Sequence, residues 1–317
     1  MTVENHISVT RYADGVTVID AGFVREHMAA CYLVEAGSDV AFIEVGTNSS
    51  TPRLMKVLKE RGHKPEDVRY VIVTHVHLDH AGGAGSLMQL LPNATLLVHP
   101  YGARHMIDPT KLEAGARAVY GDALFDKIYG KLVPIARQRV RIMEDGDELS
   151  LGDRQLRFMD TPGHARHHFC VHDSQSNGWF TGDTFGLSYR EFDTSKGAFV
   201  FPTTTPIQFD PEALKESVNK LVADGPDCMY LTHYGRVDEV ERLTQDMLDG
   251  VDVLAGIGEQ FKDHEFRRQK IETAISKWLL ERLREHGVTL SDEACMELLQ
   301  SDIVLNSQGI EFWLDHR

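Results

Sequence analysis

The 317-residue chain is poor in cysteine, poor in basic charge and free of long apolar runs. Its four cysteines, Cys31, Cys170, Cys228 and Cys295, stand too far apart in sequence for a CxxC redox pair or a zinc knuckle. Scattered single cysteines suit a reducing compartment, where they serve as small buried apolar side chains. Lysine and arginine number 33 against 48 aspartates and glutamates, a formal charge of −15 at neutral pH. A nucleic-acid binder displaces counterions with a surplus of basic residues, so a globally basic surface is excluded and no nucleic-acid partner is expected. No apolar run approaches the roughly 18 residues of a membrane span. The opening MTVENHISVTRYADG lacks the apolar core of a secretory signal. These absences point to a cytoplasmic protein with no membrane partner. A GxSxG nucleophile elbow is missing as well, which removes one common route to ester hydrolysis.

What is present is ordinary globular composition, 42% hydrophobic and 26% charged, enough for one large domain or two small ones. Short β-rich runs at Ser8–Tyr12, Gly15–Ile19, Cys31–Val34 and Val40–Val45 are separated by turn residues. Leu54, Val57 and Leu58 predict a helix over Thr51–Arg61, with Pro52 near its start. Val68–Thr74 has the apolar pattern of a strand buried on both faces. A helix follows Gly82-Gly83 to Leu91, then a strand at Ala94–Val98, and Tyr101–Leu132 is mostly helical in pattern. Further strands are predicted at Val140–Met143, Gln155–Met159, His168–His172, Trp179–Thr181 and Cys228–Thr232. Phe185–Pro211 has no period but carries six aromatics, which argue for an ordered loop and a partly apolar substrate. Beyond Arg236 the pattern is helical, with a stripe at Ile271, Ile275, Trp278, Leu279 and Leu283 that is either core or a homodimer seam.

The chemistry concentrates where the Val68–Thr74 strand ends. His75, His77, Asp79 and His80 fall within six residues. Burying bare imidazoles and a carboxylate costs on the order of several kcal/mol without partners. Alternate residues leaving a strand project to one side, so His75 and His77 can share one metal ion, while Asp79 and His80, past the bend, can take a second. Three more blocks end predicted strands in a ligand: Thr161-Pro162-Gly163-His164, Phe180-Thr181-Gly182-Asp183 and Leu231-Thr232-His233. Strand ends are where α/β folds build their sites. Histidine and carboxylate without thiolate suit zinc, iron or manganese, and open coordination positions mark a catalytic rather than a structural site.

Together these four blocks, in this order, resemble the metallo-β-lactamase superfamily over about residues 8 to 235. The resemblance implies an α/β fold, an αββα four-layer sandwich with extra C-terminal helices. It divides the chain into a catalytic domain over 1–235 and a helical extension over 236–317 packed on it. It implies two divalent metal ions, zinc foremost, with iron or manganese as alternatives. His75, His77 and His164 would hold the first, Asp79, His80 and His233 the second, and Asp183 would bridge them. Two such ions roughly 3.5–4 Å apart acidify a bridging water and polarise the substrate oxygen. The implied activity is hydrolysis of a small-molecule ester, thioester or lactone by metal-bound hydroxide, with Asp79 as the catalytic residue that orients it. The alternative within the same fold is an iron-dependent oxidoreductase, either persulfide dioxygenase-like or diiron oxygen-binding.

Several positions depart from the family pattern. Glu44 stands where relatives usually have Asp; it either braces the ligand loop or is a strand-end surface residue. His167 replaces a residue that is often Gly, and His168 matches a frequent histidine behind the ligands. Gly186 occupies the position of the acyl-homoserine lactonase Tyr, leaving Tyr189 or Tyr234 to offer a phenol. The remaining histidines, among them His27, His63, His264, His286 and His316, are expected at the surface, and His99 and His105 without a catalytic part.

Overall fold

The structure, a computed structural model, describes residues 7–204 and 206–317. Two compact units emerge. One runs to Asp160 and adds His167–Gly182 and Tyr230–Arg236; the other comprises Thr161–Arg166, Asp183–Met229 and Val237–Arg317.

The first unit is organised by a seven-stranded sheet in chain order: β1 (Val9–Arg11), β2 (Val16–Asp20), β3 (Ala30–Ala36), β4 (Asp39–Ile43), β5 (Val68–Ile72), β6 (Thr95–Val98) and β7 (Val140–Ile142). The first four strands are antiparallel neighbours; from β4 onward pairing is parallel. Parallel pairing requires crossovers, and helices supply them: α1 (Thr51–Glu60) after β4, then α2 (Leu78–Ala81) and α3 (Ala84–Leu90) after β5. After β6 come α4 (Pro100–Ile107), α5 (Thr110–Tyr120) and α6 (Asp122–Ile128). Leu54, Val57 and Leu58 of α1 and Leu87 and Met88 of α3 cover one face of the sheet, meeting Cys31, Leu33, Phe42 and Val71. The opposite side chains of β3 turn to a second sheet, where the Tyr32 ring lies 5.0 Å from Phe180 and 5.7 Å from Tyr230. With both faces covered, β3 and β4 lose their polar–apolar alternation.

The second sheet has the order β13-β12-β11-β10-β9-β8, with β8 (Glu148–Leu151), β9 (Arg154–Asp160), β10 (Phe169–Asp173), β11 (Gly178–Gly182), β12 (Cys228–Leu231) and β13 (Gly235–Val237). Strands β8 and β13 stand outside the sequence reading. β13 has only three residues, and β8 is half-exposed in strict alternation, with little apolar signal. The two face-to-face sheets and their helices are the α/β architecture expected. All four cysteines are buried, as small apolar side chains should be. Among the described residues no helix is long and apolar enough to cross a membrane. At β5 the sequence reading needs adjusting: Arg69 is exposed and pairs with Asp39 at 2.9 Å, so only the C-terminal half of the strand is covered on both faces.

One ion pair in this unit is fully enclosed. Arg154 meets Asp173 at 2.6 Å with neither side chain exposed, and it also donates to the carbonyls of Glu35 and Asp14. Asp173 further accepts from the Ser176 amide and hydroxyl. Removing one partner of such a pair strands a charge in the interior. Arg154→Ala is therefore expected to cost about 3–5 kcal/mol in urea unfolding. Arg154→Met combined with Asp173→Asn should recover part of that loss; a double variant no more stable than Arg154→Ala alone would refute the account.

In the second unit the Phe185–Pro211 stretch is an ordered loop, but its aromatics are not a substrate wall. Phe185, Tyr189, Phe192, Phe199, Phe201 and Phe209 are all buried, and Tyr189 and Phe199 each pack within about 6 Å of Phe201. With these rings packed against one another and against residues such as His286 and Trp313, they lend no support to an apolar substrate. Helices α7 (Pro211–Ala223), α8 (Val240–Phe261), α9 (Arg267–His286) and α10 (Asp292–His316) complete the unit. Asp210 and Ser291 cap α7 and α10 through their side chains. Ile271, Ile275, Leu279 and Leu283 of α9 are buried among these helices.

Candidate metal centre

The ligand loop begins where β5 runs out, and it is pinned from both sheets. The Thr74 amide donates to Glu44 Oε1 at 2.8 Å, and the Thr74 carbonyl accepts from the Phe169 amide at 3.0 Å. His75 is fully buried; its Nδ1 lies 3.1 Å from Thr74 Oγ1, and its Nε2 lies 2.9 Å from Nδ1 of His77. His77 then ends the extended run and caps α2, whose single turn brings Asp79 and His80 back under the strand end. The rings of His75 and His80 are 4.0 Å apart. His233, at the end of β12, completes the group, its ring 5.4 Å from that of His80. The Ala30 amide holds β12 there through the Thr232 carbonyl.

In His80 and His233 the ring nitrogen that faces away from this cluster has an acceptor. His80 donates from Nδ1 to Glu44 Oε2 at 2.7 Å, and His233 donates from Nδ1 to the Met28 carbonyl at 2.6 Å. A carboxylate or a carbonyl accepts only, so both rings carry their proton on Nδ1 and present the Nε2 lone pair. Those two Nε2 atoms lie 3.6 and 3.3 Å from the same oxygen of Asp79. Zinc–nitrogen and zinc–oxygen bonds of about 2.0–2.2 Å in a tetrahedron give ligand–ligand edges of roughly 3.3–3.6 Å. Asp79, His80 and His233, whose ligand atoms all lie within 4.8 Å of one another, therefore fit one divalent ion.

Five of the seven ligands named from the sequence thus belong to the first unit: His75, His77, Asp79, His80 and His233. The other two form a pair in the second unit. His164 Nε2 lies 3.2 Å from Asp183 Oδ2, and His164 Nδ1 donates to the Thr203 carbonyl at 3.4 Å, which fixes the same tautomer. The motif glycines are required by close approach. At Gly182 (φ +50°) a Cβ would fall 2.4 Å from Thr74 Oγ1, and at Gly163 (φ +132°) it would fall 2.3 Å from the Leu214 backbone.

Of the two readings for Glu44, the bracing one holds. The residue is buried, sits at φ +61° and divides its two oxygens between the Thr74 amide and His80. His168 is fully buried and stacks on His75 at 4.7 Å, whereas half-buried His167 accepts the Val76 amide on Nδ1. Tyr189 is buried and donates to Asp302, away from any role as an exposed phenol. Tyr234 is buried against His27. His99 caps α4 and bonds Asp160, which is a structural part. His264 and His316 are exposed, but His27, His63 and His286 are half-buried, each with a polar partner.

Sequence reasoning did not find the carbonyls of Met28 and Thr203, which carry no residue-type signal. Two phenols, Tyr120 and Tyr129, also bear on Asp79. Burial pushes the Tyr120 phenol up to about 12; the Asp79 carboxylate adds to that rise, and a hydrogen bond with Tyr129 opposes it. Burial raises Tyr129 as well, with Tyr120 and Asp79 contributing. Both phenols remain neutral at physiological pH and feel the charge of Asp79.

A carboxylate flanked by imidazole nitrogens at metal-coordination spacing, on a two-sheet α/β frame, makes these strand ends a candidate metal site. The chain belongs to the metallo-β-lactamase superfamily, whose sequence pattern matches residues 24–233. A Sulfurisphaera tokodaii relative described as metallo-beta-lactamase fold-containing protein ST1585 is 29% identical over 212 residues, 65% of this chain and 76% of that one. A human relative, acyl-coenzyme A thioesterase MBLAC2, is 29% identical over 182 residues, 54% of this chain and 63% of its own length, so the match spans under two thirds of that protein. The crystal structure of ST1585 from Sulfolobus tokodaii superposes with a TM-score of 0.66 at 24% identity, covering 93% of this chain and 98% of that one. At that identity the superposition shows a shared fold.

Proposed function

We propose that the chain is a binuclear metallohydrolase acting on a small-molecule ester, thioester or lactone. In this reading His75, His77 and His164 would hold one ion and Asp79, His80 and His233 the other, with Asp183 as a further carboxylate ligand. The observation that carries it is the uniform preparation of the histidines: His80, His164 and His233 each have Nδ1 bonded to an acceptor and Nε2 beside a carboxylate oxygen. Bound there, a pair of divalent ions would acidify water and polarise a carbonyl oxygen. The protein's part is to hold the ligands. Glu44 fixes His80 and the loop entrance together, and Asp79, partly exposed, would accept a hydrogen bond from the attacking water. The thioester member of the substrate class is supported by the name of the human relative. The absence of a GxSxG serine agrees with attack by water.

Elemental analysis of protein purified without chelators or a histidine tag, from cells supplied with zinc, iron and manganese, tests the reading. About two zinc or manganese ions per chain, with turnover on an acyl thioester, ester or lactone panel, is the expected result. One or two irons and no hydrolysis would instead favour the oxidoreductase. A metal-free, correctly folded protein would overturn the reading.

A further inference from the structure

Helix α10 lies beyond the segment that matches the family, yet it reaches a metal ligand in two hydrogen-bonded steps. The Thr203 carbonyl accepts from His164 Nδ1 at 3.4 Å. On one side of that carbonyl, the amide of buried Thr204 donates to Asn306 Oδ1 at 2.7 Å, and its hydroxyl donates to the Asn306 main-chain carbonyl at 2.9 Å. On the other side, Asn306 Nδ2 donates to the Pro202 carbonyl at 3.3 Å. One buried asparagine therefore grips the backbone before and after Thr203. Its helix is itself anchored: one turn earlier Asp302 accepts the Tyr189 hydroxyl at 3.1 Å, and the neighbouring Ser307 donates to Glu272 of α9 at 3.2 Å.

We propose that Asn306 is a positioning residue for the metal centre, acting through the Thr203 carbonyl on His164. The carbonyl keeps the proton on Nδ1 and the lone pair on Nε2, and its direction sets the ring plane. Outer partners of this kind tune metal affinity by about 10–100-fold. Alanine at 306 leaves the Thr204 amide and the Pro202 carbonyl without this partner in a buried site, so the backbone between them relaxes. The inference rests on His164 being a metal ligand.

The test uses the full-length chain, with zinc affinity read by competition against a chromogenic chelator and ligand geometry by the visible spectrum of the cobalt(II)-substituted protein. Asn306→Ala is expected to weaken one of the two ions about 10–100-fold and to change the cobalt spectrum. Tyr189→Phe removes a bond to the same helix without touching residues 202–204; it should lower the melting temperature and leave both metal readouts unchanged. Should Asn306→Ala not fold, Thr204→Val removes the hydroxyl bond at little change in shape and is read the same way. Unchanged affinity and spectrum in folded Asn306→Ala or Thr204→Val would overturn the inference alone. So would an equal loss in Tyr189→Phe, which would reduce the contact to general stability. A parent chain that binds no metal would overturn the metallohydrolase reading and this inference with it.

Discussion

Alanine at Asp79 is expected to lower hydrolytic turnover by about 10³-fold or more, equivalent to about 4 kcal/mol of transition-state stabilisation. It should also take one of two metal ions with it. The carboxylate is the anionic member of its candidate three-residue set, with one oxygen 3.6 Å from His80 Nε2 and 3.3 Å from His233 Nε2. Without it, two neutral imidazoles face one another and no negative charge offsets a divalent ion. The side chain is partly exposed, so the fold should survive, and a melting curve within a few degrees of the parent's serves as the control. Parent-level turnover with two ions bound would remove Asp79 from the site. Alanine at His164 should behave alike, and its failure to do so would detach the His164–Asp183 pair from the chemistry.

The second large effect is expected at Glu44. Its two oxygens accept from two fixed donors, the Thr74 amide at 2.8 Å and His80 Nδ1 at 2.7 Å. A carboxylate is the only side-chain group of that length with two acceptors and no donor. In Glu44→Gln one donor must face the amide NH₂ whichever way it flips. Either the strand exit at Thr74 loosens, or His80 moves its proton to Nε2 and forfeits the lone pair that faces Asp79. Zinc affinity should fall about 10–100-fold with the polypeptide still folded. Circular dichroism and chelator competition on the same sample separate the two. If Glu44→Gln binds zinc like the parent, the bracing role is wrong.

The difference between these two residues marks how far the sequence could be followed. Asp79 was legible because it sits among histidines, and a ligand cluster announces itself by residue type and spacing. Glu44 was ambiguous because a single acid at a strand end looks the same whether it faces solvent or the next strand's exit. The aromatics of Phe185–Pro211 were uninformative about substrate for a related reason. Composition reports that apolar area must be covered, not what covers it, and here the loop's own rings and residues such as His286 and Trp313 do so.

By itself the sequence determined the strand that ends in the ligand loop, the seven ligand candidates and the order of their motifs, because periodicity and ligand spacing are local properties of the chain. Only the tertiary structure decided which nitrogen His80, His164 and His233 leave open, since that depends on the Met28 and Thr203 carbonyls and on Glu44, groups remote in sequence. It also decided that Asn306, at the far end of the chain, closes on residues 202–204. Backbone carbonyls carry no residue-type signature, and the choice of a hydrogen-bond partner across a hundred residues is made by packing rather than by any pattern in the chain.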